Sequence, residues 1–440
     1  MASATVKNLA TGGSSAVLAT DRREHYIDPF KFSELFKSET PFLWLAMKNR
    51  RTGFPDPVFK MFQYENTFMR RYIRNNGSSV TIAAASAGAA AESDAVTIDG
   101  VTGFGSTSTI DASFVHKQFE VWDSTLTTNR GVVLLTDDTS TTTAKFKNLG
   151  TTAISTVDDD YFILISNAQE DGSEAPDAYS SELSVVYNQC QQFKTPVQLE
   201  GEILYAALRG DNNEFNRLVA EKMKEHKVEM EGSFLKGKAP LGTNLGGADT
   251  FSYKDLLTGD NDKVVRTTYG ILPALEDYGS TSGQYQNKWD VVEAEYTYSD
   301  YVDMSEKMFQ YYPPNGELYA VSGPGAISFW SKLTYARSPK NNWTVQFSPQ
   351  STDSFGVNIR KLETPHGVLN ITKSDALKFE YNKYMIVVDD RYVSYNEFRP
   401  TKYQTNVKTD NAYDGRKDLY FSDAGLGLTH IKTHARVKIV

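Results

Sequence analysis

The chain has 440 residues, 40% of them hydrophobic, which is enough apolar material for sizeable cores in two or three domains. A formal net charge of -9 argues against a nucleic-acid reader, because a grip on polyphosphate needs concentrated basic side chains. A single cysteine, Cys190, excludes an intramolecular disulfide; no apolar run is long enough to span a membrane and no basic-then-apolar leader opens the chain, so a cytoplasmic product without membrane contact is expected.

Residues 1–20 are small and polar without period and read as a flexible arm or strap. From Tyr26 to Asn49 the apolar density rises, with Phe30, Phe32, Phe36, Phe42 and Trp44, and Thr40-Pro41 starts a short helix. This arm is too sticky for solvent and should lie on its own subunit or a neighbour. Val58 to Arg74 reads as extended, ending in the turn residues Asn75, Asn76 and Gly77. Arg70, Arg71 and Arg74 form its basic end, for which carboxylates are the expected partners.

Composition then shifts to Thr, Ala, Ser and Gly. Short β-prone runs at 80–82, 96–98, 119–122, 132–135 and 161–165, separated by turn signals, indicate a small all-β insert over 78–166. It carries 4 basic against 11 acidic residues, most of the chain's excess acid, and so reads as an exposed face. Asp158, Asp159 and Asp160 lack the spacing of a calcium loop and are expected to be a solvated charge run. A second extended segment, Leu183 to Glu200, brackets the insert. With Val58 to Arg74 it is expected to form one long hairpin carrying the insert at its far end, an edge that association between copies would cover.

Asp211 to Gly237 has the longest clean helical period in the chain. Asp211 and Glu214 make a capping box, and Phe215, Leu218, Val219, Met223, His226, Met230 and Phe234 fall on one face. Glu221 with Lys224 and Lys227 with Glu231 are expected as surface pairs, with Lys222, Lys224 and Glu225 on the charged face. A charge at Met223 is therefore expected to unfold the subunit, and a charge reversal at Lys224 to leave it folded. Further on, helices are expected at 269–278, at 298–312 with Tyr301, Met304, Met308 and Tyr312 on one stripe, and after Gly323-Pro324. Strands are expected at 290–295, 318–322, 368–372, 384–388 and 392–395, giving a mixed α+β domain.

Motifs for chemistry are sparse. Gly425-Leu426-Gly427 is a fragment of a phosphate-loop pattern without its strand-to-helix context. His430 and His434 sit four apart in a strand-like segment, where they would lie about 13 Å apart, too far to share a metal. His226 reads as a hydrogen-bonded core or interface histidine, Cys190 as a small structural residue, and Asp389-Asp390 as turn carboxylates. No catalytic, cofactor-binding or metal-binding residue is nominated, and no cofactor is expected.

The local sequence resembles the major capsid proteins of tailed bacteriophages, whose Hong Kong-type fold is shared with the herpesvirus capsid floor. The resemblance rests on YNQCQQFKTPVQLEGE (187–202), AEKMKEHKVEMEGSFLKG (220–237), RTTYGILPALEDY (266–278), the run from Thr364 to Pro400, and TDNAYDGRKDLYFSDAGLGLTHIKTHARVKI (409–439). It is to the subgroup with a small β insert in the extended loop. It implies an N-terminal arm (1–57), an extended loop (58–77 and 167–202) around the β insert (78–166), a peripheral domain with a spine helix (203–269), an axial domain (about 270–400) and a return to the peripheral domain (401–440). It also implies a non-enzyme that self-assembles as pentamers and hexamers into the icosahedral shell of a virion. That shell would be built in the host cytoplasm around double-stranded DNA held without sequence-specific contact, with scaffold, portal and decoration proteins as partners.

Residues 1–25 are too short for the charged helical scaffolding segment of some relatives, so a separate scaffold or none is expected. With Met1 present, the N-terminus is expected to be uncleaved. No Lys–Asn pair for an isopeptide cross-link can be nominated. An encapsulin-like compartment and a β-rich adhesin or tail component, binding glycan through the acidic insert, are the alternative readings.

Overall fold

The computed structural model describes residues 40–64, 71–77, 79–84, 92–102, 109–110, 112–169, 171–172, 183–201, 214–239, 257–258, 263–282, 285–336, 347–348, 359–407 and 415–440. The arm before residue 40, the capping box at Asp211 and the basic residue Arg70 lie outside them. The chain divides into two compact units, one formed by Met1–Gln63 with Val185–Val440 and the other by Tyr64–Ser184.

The Tyr64–Ser184 unit is a closed six-stranded barrel, in the order Tyr161–Asn167, Tyr72–Asn75, Val96–Thr102, Thr143–Asn148, Asn129–Ser140 and Lys117–Trp122. Closure follows from strict alternation. In Lys117–Trp122 and Thr143–Asn148 every second side chain is buried, so each strand has one face for a core and one for solvent. The interior is filled by Ile73, Val96, Phe119, Val121, Val133, Leu135, Phe146 and Phe162. Phe146 stacks on Phe162 at 4.6 Å between ring centroids and meets Phe119 edge-on at 6.3 Å. The strand at Tyr72–Asn75, assigned from sequence to the extended segment, is a stave of this barrel.

In the other unit, Val58–Gln63 pairs with Ser184–Gln189, the root of the expected hairpin. A four-stranded sheet runs Arg50–Thr52, Val393–Gln404, Gly415–Leu428, Gln191–Glu200. A seven-stranded sheet runs Lys288–Val291, Ala435–Ile439, Tyr384–Val388, Glu317–Ser322, Gly367–Lys373, Ile359–Thr364, Phe347–Ser348. Helices α1 (Pro41–Lys48), α2 (Glu214–Lys236), α3 (Ile271–Tyr278), α4 (Tyr298–Phe309) and α5 (Pro324–Ala336) pack around these sheets. Alternation in the seven-stranded sheet separates two cores. Leu318, Ala320, Leu369, Ile371, Met385 and Val387 meet Tyr301, Met304, Met308 and Trp330 of α4 and α5. Val321, Ile386 and Val388 join Phe234 and Leu235 of α2, Phe42 and Leu45 of α1, and Leu275 of α3.

The long helix departs from a single stripe. Phe215 and Leu218 pack on Val197, Leu199 and Tyr420, but in the second half Met230, Glu231, Phe234 and Leu235 are all buried, on a face rotated away from that of Phe215 and Leu218. The helix begins as a lid on one sheet and ends enclosed on several sides. Met223, on the shoulder between these regions, is 43% exposed, so it is not a core residue as the period implied. Surface pairs include Arg217–Glu221 and Lys222–Glu225, whereas Glu231 is buried and so not the surface partner expected for Lys227. Tyr312 likewise leaves its expected stripe. Helix α4 ends at Phe309, and Tyr312 turns out with φ 47.

In the unassembled subunit, Met223→Asp should therefore shift stability by less than about 1 kcal/mol, while Met230→Ala should cost about 2–5 kcal/mol. Chemical denaturation of the two soluble variants checks this, and the opposite order would restore the single-stripe reading.

Candidate functional site

The residues singled out for chemistry are dispersed, and each has a structural task. Gly425 and Gly427 lie inside the strand Gly415–Leu428. A Cβ on Gly425 would sit 2.6 Å from the Gln189 carbonyl oxygen, and one on Gly427 2.2 Å from Ser394 Oγ, so these glycines serve close strand packing and not a phosphate. Cys190 is buried and its thiol is pushed up to about 12 by burial, far from a reactive thiolate. Asp389 accepts from the Arg391 backbone and guanidinium and holds its turn as expected, whereas the Asp390 carboxylate pairs with Lys48 of α1 at 2.8 Å.

His430 and His434 bracket a short 3-10 turn, Ile431–Thr433, in place of the expected strand, because His430 adopts φ 48. His434 is fully buried, accepts from the Asp389 backbone N–H at 3.2 Å, and is pulled down to about 4 by burial. No group of three or more His, Cys, Asp or Glu side chains among the described residues is arranged to hold a metal.

Of the three aspartates of the barrel, Asp158 is exposed and Asp159 half-exposed, in keeping with a solvated run, and Asp160 departs from it. Asp160 is buried, accepts from the Val157 N–H at 2.7 Å and meets Arg130 at 3.3 Å; burial pushes its carboxyl up. Asp159 pairs with Arg74 at 2.5 Å and Asp158 accepts from the Gly77 N–H at 2.5 Å. A turn that must close between two strands uses carboxylates to satisfy its own amides. Arg74, at the basic end of the extended segment, thus finds a carboxylate within its own unit.

What the larger unit does build is a set of buried polar clamps. Asn188 donates to the carbonyls of Tyr269 (3.0 Å) and Leu426 (2.7 Å) and accepts from the Tyr269 N–H at 3.0 Å. Asn287 donates to the carbonyls of Ile431 and His434 and accepts from the Ser280 N–H at 2.8 Å. Asp423, fully buried, receives Arg399 at 2.9 Å. His226 bonds through both ring nitrogens, to Thr195 Oγ1 at 2.8 Å and Ser422 Oγ at 2.7 Å, and burial lowers its pKa, favouring the neutral ring. Its sequence reading as a hydrogen-bonded core histidine holds.

The clamp at Glu231 joins the most distant segments. Helix α1 has no side-chain cap at Thr40, so its first amides lack an acceptor of their own. The Leu43 N–H donates to Glu231 Oε2 at 3.3 Å, and the other carboxylate oxygen accepts from Ser374, whose Oγ also caps the Ala376 N–H. Glu231 is thus an N-cap delivered from another helix, holding α1, α2 and the turn after Lys373 together. Burial pushes its carboxyl up to about 7 against the lowering by those donors. The sequence placed Glu231 on the surface because an isolated helix wheel cannot show a second helix end aimed at it.

One concavity among the described residues is an open groove of about 530 Å³ between α2 and the strand Gln191–Glu200, lined in part by Gln191, Lys194, Glu229, Ser233 and Lys236. It contains no nucleophile–base pair and no second carboxylate, so nothing converges there for acid–base work.

The sequence matches the model of the family described as SU10 major capsid protein over residues 31–440. No curated protein matches it. Solved structures with some likeness include an encapsulin complex from Synechococcus elongatus, at 12% identity and TM-score 0.38, covering 59% of this chain and 77% of that one. The capsid of cyanophage P-SCSP1u stands at 11% identity and TM-score 0.37, covering 63% and 80%. Mycobacterium phage Bobi stands at 9% and 0.39, covering 62% and 81%. At such values the assignment rests on the family match.

Between about pH 4.5 and 7 the folded Glu231 keeps a proton that the unfolded chain has lost, so this group's contribution to stability should fall as pH rises, by on the order of 3 kcal/mol. His434 works in the opposite sense between about 4 and 6.5 and is common to wild type and Glu231→Gln. The melting temperature of the wild-type subunit relative to Glu231→Gln should therefore drop across that range. A difference that does not vary with pH would overturn the assignment.

Proposed function

The chain belongs to the SU10 major capsid protein family, making it a structural protein of a virion shell, and from that premise we propose how its parts serve assembly. Copies associate as pentamers and hexamers into an icosahedral shell around the double-stranded DNA of a tailed phage, formed in the host cytoplasm. The observation that carries this reading is the family match over 31–440, nearly the whole chain.

In this reading α2 is the spine of a peripheral domain built on the four-stranded sheet. The seven-stranded sheet with α4 and α5 is the axial domain. The strands Val58–Gln63 and Ser184–Gln189 root the extended loop, and the barrel is its insert. Residues 1–57 act as an arm, of which α1 is docked by Glu231. A net charge of -9 suits an enclosing wall, since a lining that bound DNA strongly would hinder filling. Scaffold, portal and decoration proteins complete the partner set.

Expression of the chain, alone and with its scaffold, followed by electron microscopy, should yield closed particles with five-fold vertices. Particles purified from infected cells should protect double-stranded DNA from nuclease. Protein that stays monomeric and compact under every assembly condition would overturn the reading.

A further inference from the structure

Two aromatic side chains stand out on the larger unit. Tyr312 is 87% exposed and Phe379 78% exposed, and both sit on left-handed backbone, φ 47 and φ 60. Bulky residues rarely adopt this conformation, which costs them roughly 1–2 kcal/mol. Strain of this kind, paired with solvent-exposed rings, points to a surface that is filled by something else.

Their placement says what fills it. The strands Glu317–Ser322 and Gly367–Lys373 are parallel neighbours, with Glu317 beside Val368 and Ser322 beside Lys373. Tyr312 precedes the first strand and Phe379 follows the second, so the two rings mark opposite ends of the sheet and cannot meet within one copy. Each is held on a fixed platform. At the first end the Tyr312 N–H donates to the Phe309 carbonyl at 3.1 Å, and Arg391 donates to the Tyr311 carbonyl at 3.4 Å. At the other, the Asn382 N–H donates to the Phe379 carbonyl at 3.1 Å. Asn382 Oδ1 in turn accepts the Gly325 N–H at the start of α5, and Lys236 binds the Ala376 carbonyl at 3.1 Å. Rigid presentation of this kind lowers the ordering cost of a contact.

Charge matches across the two ends as well. Near Tyr312, Asp389 is paired with Arg391 and Asp390 with Lys48, while Glu317 and Glu363 have no ion-pair partner among the described residues. Near Phe379, Lys378 is paired with Asp375 and Lys383 with Glu293, leaving Lys236 and Lys373 against Glu380. One end is acidic and the other basic.

We propose that the Phe379 end of one copy docks on the Tyr312 end of the next, a head-to-tail contact between copies of this chain that closes rings in the shell. A contact between two different patches generates a ring wherever its rotation closes, and five- and six-membered rings need only small adjustments of one such contact. The proposal rests on the shell reading and adds the faces that meet.

The test uses the full chain in assembled particles. A Tyr312→Cys, Phe379→Cys double variant treated with a short bis-maleimide should give a ladder of linked multimers up to ring size on a denaturing gel. Each single variant should stay at monomer mass, Cys190 being buried. Tyr312→Asp and Phe379→Asp should each keep the melting temperature of the soluble subunit and lower particle yield by roughly tenfold or more, the scale of an aromatic hot spot. Particles that form at wild-type yield with either aspartate, or a double variant that assembles and does not cross-link, would overturn the contact and leave the shell reading intact. A wild-type chain that never leaves the monomeric state would overturn both.

Discussion

A carboxylate sealed from water decides how the larger unit is put together. Leaving Glu231 without donors would cost several kcal/mol, and no surface lies close enough to relieve it. Its donors come from an α1 amide and from Ser374, segments separated from it by 188 and 143 residues. Satisfying them fixes the rotation of α2 about its axis. That rotation in turn sends Phe234 and Leu235 into the shared core with α1 and α3, and leaves Lys222 and Glu225 paired at the surface. A helix end without its own cap and a buried acid without its own partner are each unstable alone. They are stable only together, which makes the docking of the arm helix conditional on the spine being in place.

The same logic runs through Asn188, Asn287 and Asp423. Each presents donors or acceptors to backbone groups or guanidinium that the sheets leave over, and each links segments far apart in sequence. Apolar packing alone would tolerate small slips of one segment on another. A buried amide that must find two carbonyls and an N–H tolerates none. A shell subunit needs that rigidity, because an error in subunit shape is repeated by every copy in the shell.

Much of the architecture was legible from pattern. The helices at 271–278 and 324–336 follow from Gly270 and from Gly323-Pro324, and the barrel strands from period-two runs between turn residues. Strand pairings such as Gln191–Glu200 with Gly415–Leu428 join partners more than two hundred residues apart, and no local pattern encodes them. The misreadings share one cause. Extending a helical period with a fixed direction of burial puts Met223 and Tyr312 on apolar stripes. In α2 the direction drifts as the helix passes from one sheet into a deeper enclosure, and in α4 the helix stops three residues short of Tyr312. Glu231, Asp160 and Asp423 look like surface acids in sequence because their partners are supplied by tertiary structure alone.

The division between inside and outside bears on how such a subunit associates. Inside, most polar groups are engaged, so little is gained by rearranging the core. Outside, Tyr312 and Phe379 are held in a backbone region that costs each roughly 1–2 kcal/mol, and both rings are exposed among the described residues. Burying either side chain against another copy would return about 2–3 kcal/mol of transfer free energy. That is more than the strain, but less than the cost of immobilising a whole subunit. One such contact is therefore too weak to hold two copies together and becomes sufficient when a closing ring makes every copy both donor and acceptor of it. Weak, repeated and directional contacts are what allow a misplaced subunit to leave before a shell seals around it.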